Sequence, residues 1–350
     1  MRLNWRTALL AAAAFGLTMP EAKADQTITE AKAGATLDRV RAEGSFACGL
    51  VTEIPEYNKL DLHGGLDALG LEICKAIAVA ALGDAAHMQS KSYPVENEAL
   101  VGLQKGETDV LIGATPSATG VWAYGVQFGP PVFYDAQGIM VNRAAGIAKL
   151  ADLAGRHVCF IDGTDTEVML NVAMRARGIA YNPYPFQEEG EMDAALAVGH
   201  CDSMSADLSR LAEKRSTFHA RTADFVMLPE TLTLDPVAPA YRQGDAQWGA
   251  IIDWTIYALV QAEASGVTQA NVAAQHDSAD PVVQRLLGID FAAGRALGLD
   301  HDWAARMIAA VGNYGEIYER TVGEGAPLRL PRGLNALWTS GGLMHPLPVR

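Results

Sequence analysis

Apolar residues recur along this chain at two spacings. From Leu71 to Leu82 ("LEICKAIAVAAL") an apolar face runs through Leu71, Cys74, Ile77, Ala78 and Ala81, three and four residues apart, the period of a helix with one buried side. Further helices are read at 35–44, 97–106, 150–155 and 166–178. Between them, short apolar runs at 46–51, 109–113, 138–143 and 157–162 read as strands. The segment 191–207 passes from helix to strand, and "IIDWTIYALV" from Ile251, interrupted by Asp253, reads as a buried helix. The order strand, helix, helix, strand restarts after residue 138. That restart predicts an α/β protein of two similar lobes, each built on a mostly parallel sheet. No Ser/Pro-rich or low-complexity stretch separates them, so the chain is expected to pass between lobes as strands and to leave a ligand-sized cleft.

The first residues follow a different pattern. Arg2 and Arg6 precede the apolar stretch Thr7 to Leu17, and Ala22-Lys23-Ala24 supplies a small-x-small cleavage pattern. The stretch is well short of the ~20 residues that span a bilayer, and no Cys follows it closely to carry a lipid. The expectation is a signal peptide over 1–24, cleavage before Asp25, and export to a bacterial periplasm.

Charge and cysteine content narrow the picture. The 350-residue chain has a formal net charge of -14. The leader carries two net positive charges, so its removal takes the total to -16. A surface this acidic argues against nucleic acid and is compatible with a cationic ligand. Four cysteines suit an oxidising compartment. Cys48 and Cys74 are close in sequence, as are Cys159 and Cys201, so two disulfides would use them all. Each would be worth about 3–4 kcal/mol by restricting the unfolded chain. There is no CxxC, no His pair at helical spacing and no phosphate-binding loop, so neither metal nor cofactor is expected.

Longer motifs carry a resemblance. "LEICKAIAVAALGD", "LQKGETDVL", "FYDAQGIMV", "DPVAPAYRQGD", "NVAAQHDSADPVVQRLLG" and "VGNYGEIYERTVGEGAPLRLPRGLNALWTSGGL" run through nearly the whole exported chain. In these the sequence resembles the periplasmic substrate-binding proteins of polar and general L-amino-acid ABC importers, and all four cysteines fall where that family has them. The resemblance implies the two-lobed periplasmic-binding-protein fold of type II, its lobes joined by two crossover strands and closing on a ligand as a hinge. On that plan 25–138 is the first part of lobe 1, 139–235 is lobe 2, and 236–350 returns to lobe 1 with a C-terminal extension. The implied partners are a small-molecule ligand and an inner-membrane permease, and the implied activity is binding rather than catalysis.

In the family an Arg after the third strand grips the ligand α-carboxylate, a Gly-Thr turn at a helix start adds backbone N–H groups, and an Asp takes the α-ammonium. Here "ATPSATGVWAYGVQF" (114–128) stands where the Arg belongs, and nothing between Lys105 and Arg143 is basic. Ala99 replaces a usual basic residue, Ala68-Leu69-Gly70 lacks the usual acid, and Asp165 stands where a hydroxyl is typical. Asp207 matches the ammonium-binding position and Tyr57 an aromatic lining the cleft. Candidate ligand contacts are therefore Asp207, Thr164, Thr166, Tyr57, Trp122 and Thr115. Thr164 to Glu167 also fits a capping box, which needs no ligand at all, and Trp254 and Tyr257 at helical spacing read as core. Losing a charge-assisted Arg contact costs about 2–5 kcal/mol, which favours a small amine or a modified amino acid as ligand. The alternatives are a partner-binding subunit that has lost its ligand, and a lyase or dehydratase using acids in the cleft.

Overall fold

The computed structural model describes residues 34–51, 69–93, 95–289 and 293–349. Eleven strands are described: β1 Phe46–Val51, β2 Met88–Tyr93, β3 Val110–Ala114, β4 Val126–Phe128, β5 Phe133–Asp135, β6 Gln137–Asn142, β7 His157–Ile161, β8 Asn182–Phe186, β9 Ser203–Asp207, β10 Phe225–Met227 and β11 Asp235–Arg242. The helices before residue 125 are α1 Ala35–Glu43, α2 Leu69–Leu82, α3 Glu96–Lys105 and α4 Ala118–Ala123. Next come α5 Asp165–Ala176, α6 Glu189–Val198, α7 Leu208–Thr217 and α8 Ala246–Ala264. The remaining helices are α9 Pro281–Leu286, α10 Ala293–Leu297, α11 Trp303–Val311 and α12 Tyr314–Thr321. The expected helix at 150–155 is a short 3-10 turn, Leu150–Leu153, whose start is held by the Asp152 carboxylate accepting from the Ala148 and Lys149 N–H groups.

Two sheets carry the lobes. The first has the order β2-β1-β3-β11-β4, with β5 also on β11; the second has the order β10-β6-β9-β7-β8. Each keeps a parallel trio, β2-β1-β3 and β9-β7-β8. The rest is antiparallel, so the sheets are mixed rather than mostly parallel. The reason is the crossover: β6 and β11 arrive from the other lobe and run against the parallel trio they join. β5 passes into β6 through the single buried residue Ala136, and β11 pairs back on β5 with Asp235 opposite Asp135. Two adjacent strands thus bridge the lobes.

Two disulfides pin strand to flank, one in each lobe. Cys48–Cys74 ties β1 to α2 and Cys159–Cys201 ties β7 to the turn before β9, with Cα–Cα distances of 6.1 and 5.9 Å. The one-sided burial expected for α2 is too little: every residue of it except Lys75 and Leu82 is buried. The chain after β11 supplies the extra cover, with α8 and α11 packed on α2. Even Glu72 is enclosed, and its carboxylate is matched by Lys75 at 2.6 Å and by Arg320. The segment from Ile251 to Val260 lies within α8 and is largely buried. Among the described residues no helix is long and apolar enough to cross a membrane.

Candidate functional site

In a sheet with parallel strands, ligands gather outside the carboxyl ends at the point where successive connections leave in opposite directions. Each sheet has one such point. In the first, β1 leads through α2 outward to β2 while β3 leads through α4 toward β4, so the divergence lies beyond Val51 and Ala114. In the second, β7 leads through α5 to β8 while β9 leads through α7 to β10, so it lies beyond Ile161 and Asp207.

A cavity of about 190 Å³ occupies the second point, walled by Ile161, Thr164 and Thr166 from β7 and the start of α5, by Ser205 to Asp207 from β9, and by Arg210 and Lys214 from α7. Glu189 and Met192 of α6 close it. The volume is below the ~300–1,000 Å³ usual for a drug-sized ligand. The start of α5 is built by Thr164, whose Oγ1 donates to the Ile161 carbonyl at 2.7 Å and accepts the Glu167 N–H at 3.3 Å. Glu167 reaches back to the Gly163 N–H at 2.9 Å. The capping-box expectation therefore holds with its return bond one residue earlier. Asp165 is exposed and begins the helix, where an acid suits the dipole.

Asp207 ends β9 and stands at the N-cap of α7, yet its side chain caps nothing. The crossover segment does that work. The Leu208 N–H donates to the Ala136 carbonyl at 2.9 Å, and the Ser209 N–H and Oγ both donate to the Asp135 carboxylate. Close approach is possible because β6 has Gly138 there; a Cβ at that position would lie 2.4 Å from a Leu208 methyl. Gln137, at the first residue of β6, donates from Nε2 to the Thr166 carbonyl and to Ser205 Oγ, each at 2.8 Å, fixing the α5 start beside β9. The Asp207 carboxylate is solvent-accessible but closely surrounded. That crowding first, and then the like charges of Asp135 and Asp235, push its carboxyl up to about 7 against the pull of Arg210. Burial also raises Asp135, opposed by its bonds from Ser209 and Ala136.

Of the residues expected from sequence, Thr164, Thr166 and Asp207 come together in this cavity. Thr115 and Trp122 do not. Thr115 is exposed just past the carboxyl end of β3, its N–H donating to the Glu96 carboxylate at 3.3 Å, which brings an acid to the first divergence point. Trp122 is 88% exposed on α4. Tyr57 lies outside the described residues. Ala99 is wholly buried in the first lobe. Trp254 and Tyr257 are half-buried and meet edge to face at 5.6 Å. Sequence reading missed Arg210 and Lys214, although Asp207, Arg210 and Lys214 stand three and four residues apart, a helix-face signal in plain view. Among the described residues no three His, Cys, Asp or Glu side chains are grouped to hold a metal ion.

Two α/β lobes on a pair of crossover strands, with a polar cavity at the carboxyl ends of one sheet, define the two-lobed fold of a solute-binding protein. The chain is 39% identical over 325 residues to the general L-amino acid-binding periplasmic protein AapJ of Rhizobium johnstonii, covering 91% of this chain and 94% of that one. It is 38% identical over 326 residues to the glutamate/glutamine/aspartate/asparagine-binding protein BztA of Rhodobacter capsulatus, covering 92% and 96%. A periplasmic binding protein of an ABC transporter from Brucella ovis, solved with glutathione bound, superposes with a TM-score of 0.77 at 38% identity, over 91% of this chain and all of that one. No family profile matches. The chain belongs to the family of periplasmic amino-acid-binding proteins of ABC transporters.

Proposed function

We propose that this protein is a periplasmic receptor that delivers an amine-bearing solute, a small amine or a modified amino acid, to an inner-membrane ABC permease, after export on a cleaved leader. The observation that carries the reading is the Asp207 carboxylate: it is held in the cavity by a helix whose N-terminus is capped by other groups, so it is available to an incoming ammonium. No basic residue lies between Lys105 and Arg143, and Glu96 contacts Thr115 where a carboxylate-gripping Arg would be needed. Relatives named for general or acidic amino acids, and one solved with glutathione, set the range of solutes to try.

The test is thermal melting of the exported chain against L-amino acids, amines, polyamines and glutathione. A solute at a hundred times its Kd adds about 2.7 kcal/mol of stability, a clear rise in melting temperature. A rise with amine-bearing solutes that Asp207→Asn abolishes supports the reading. A rise that survives Asp207→Asn, or occurs only with solutes lacking an amine, removes it. No response to any solute turns the assignment toward a subunit that binds a protein partner instead.

A further inference from the structure

The face of α7 that begins with Asp207 continues with Arg210 and Lys214, and all three line the cavity. The guanidinium of Arg210 pairs with Glu189 of α6 and with Glu213. Lys214 pairs with Asp193 at 2.7 Å and Glu189 at 3.2 Å. The lining therefore holds two acids, Asp207 and Glu189, and two bases, Arg210 and Lys214. Both bases are already paired, so this wall takes an ammonium at Asp207 directly and a carboxylate only by exchange with an acid that now holds Arg210 or Lys214.

Of Glu189, Arg210 and Lys214, Glu189 is the most exposed. Its side chain is 42% exposed, against 29% for Arg210 and 15% for Lys214. Both pairs are part-buried, with Glu189 their more exposed end, and the guanidinium presents a planar fork that a carboxylate matches with two parallel bonds. Burial works against the charge on Arg210, yet its acid partners hold it above the ordinary value, so it stays cationic whenever an acid arrives. A solute carboxylate that displaces Glu189 exchanges one such pair for another, and Glu189 turns to water.

We propose that Arg210, backed by Lys214, is the specificity-determining arm of this site, and that the solute is an amino compound carrying a further, distal carboxylate. Resting on the Asp207 reading, this narrows it to a class that includes acidic γ-linked peptides and excludes simple amines and diamines. The acid-recognising charge has moved, on this view, from the first lobe to the second. One lobe then holds both ends of the solute and the other closes over it.

The experiment is isothermal titration of the full exported chain with two probes, glutathione, which has an amine and two carboxylates, and putrescine, which has only amines. Arg210→Met keeps the aliphatic stem but removes the fork; Glu189→Gln removes the competing acid. The expected result is that wild type prefers glutathione, that Arg210→Met lowers the glutathione-to-putrescine affinity ratio by about 30-fold or more, and that Glu189→Gln raises it. Melting curves of both variants without ligand establish that each is folded. A ratio unchanged by either substitution overturns the proposal, as does a wild type that binds putrescine in preference to glutathione. Asp207→Asn separates the two readings: binding of both probes unaffected by that change sinks the amine contact itself. A wild type that binds neither probe overturns the acidic-peptide class.

Discussion

α2 of the first lobe is buried on nearly every side, whereas α5, α6 and α7 of the second bury three residues each and leave their other faces to solvent or to the cavity. The parallel trio is the same in both lobes, but only the first receives a second layer of helices from the C-terminal third of the chain. The consequence is a division of labour. Where helices are sandwiched, an ionisable group is costly unless paired: Glu72 has two cations, and the half-buried Asp253 of α8, bonded by Tyr241, is pushed towards its neutral form. Where helices keep an open face, ionisable groups can collect, and Glu189, Asp193, Arg210 and Lys214 do so beside Asp207. Buried apolar packing is thus denser around the helices of one lobe, and paired charges gather on the helices of the other.

The strongest way to break that comparison is in the first lobe. Trp248 of α8 is 2% exposed, packs on Phe46 at a ring separation of 5.9 Å and donates from Nε1 to the Asp109 carbonyl at 2.8 Å. Trp248→Ala is expected to cost about 3–5 kcal/mol, read as a lower midpoint in urea. Hydrogen exchange should show the loss in β1 and β3 with β7 and β9 still protected. Equal loss in both lobes would show that they share one folding unit and that the division is not one of stability.

The next effect is in the second lobe and concerns affinity. Asp207→Asn should weaken the amine-bearing solute by about 2–5 kcal/mol, roughly 30-fold to several thousand-fold, measured by calorimetry. Because Asp135 caps α7, the substitution should cost the helix nothing, and near pH 7 it should raise the melting temperature by removing a carboxyl held well above its ordinary value. A large drop in melting temperature would mean that Asp207 serves the helix rather than the solute.

These two sites were unequally legible in the sequence. Helix stops were plain where a glycine takes the left-handed region: Gly44 at φ 61° and Gly106 at φ 78° end α1 and α3. The Cys pairs and the Thr164 cap were equally plain, because each depends on residues near one another in the chain. What was hidden depended on distant segments. The apolar period of α2 shows one face, and only the return of α8 and α11 explains why the others are buried too. The crossover strands read as ordinary strands, so their antiparallel entry was invisible. Arg210 and Lys214 share a period with Asp207, but nothing in the sequence says whether that face meets solvent or a cavity.

A smaller effect should come from the contact between the C-terminal extension and the crossover. Asn335 clamps the backbone of Tyr134 in β5, accepting its N–H at 2.7 Å and donating to its carbonyl at 2.9 Å. Tyr314 donates to the Val132 carbonyl at 2.9 Å. From the other lobe, Arg215 of α7 donates to the Leu328 carbonyl at 3.0 Å, one residue before Arg329, which holds a φ of 50°. The extension thus touches the bridge and both lobes. Asn335→Ala leaves two part-buried backbone groups of Tyr134 without this partner and should cost about 1 kcal/mol or somewhat more, with exchange increasing in β5 and β11 first. If exchange increases only around residue 335, the extension is a local flap and not a part of the bridge.

The smallest effect sharpens the comparison through pH. The Asp207 carboxyl is pushed up to about 7, and that of Asp253 on α8, half-buried and bonded by Tyr241 at 3.2 Å, to about 6; the ordinary value is 3.8. Between the ordinary and raised values the folded chain holds more protons than the unfolded one. Stability from each group is therefore present at low pH and lost as pH rises through the folded value. The melting temperature without ligand should fall from this source between pH 4 and 7 for Asp207 and between pH 4 and 6 for Asp253. Asp207→Asn and Asp253→Asn should each remove their own part of the slope. Amine binding needs the ionised carboxylate, so affinity at Asp207 should run the other way, rising about tenfold from pH 6 to pH 8. Asp253→Asn should leave that affinity profile in place while Asp207→Asn flattens it. A profile flattened by Asp253→Asn instead would place amine recognition in the first lobe and reverse the assignment of roles.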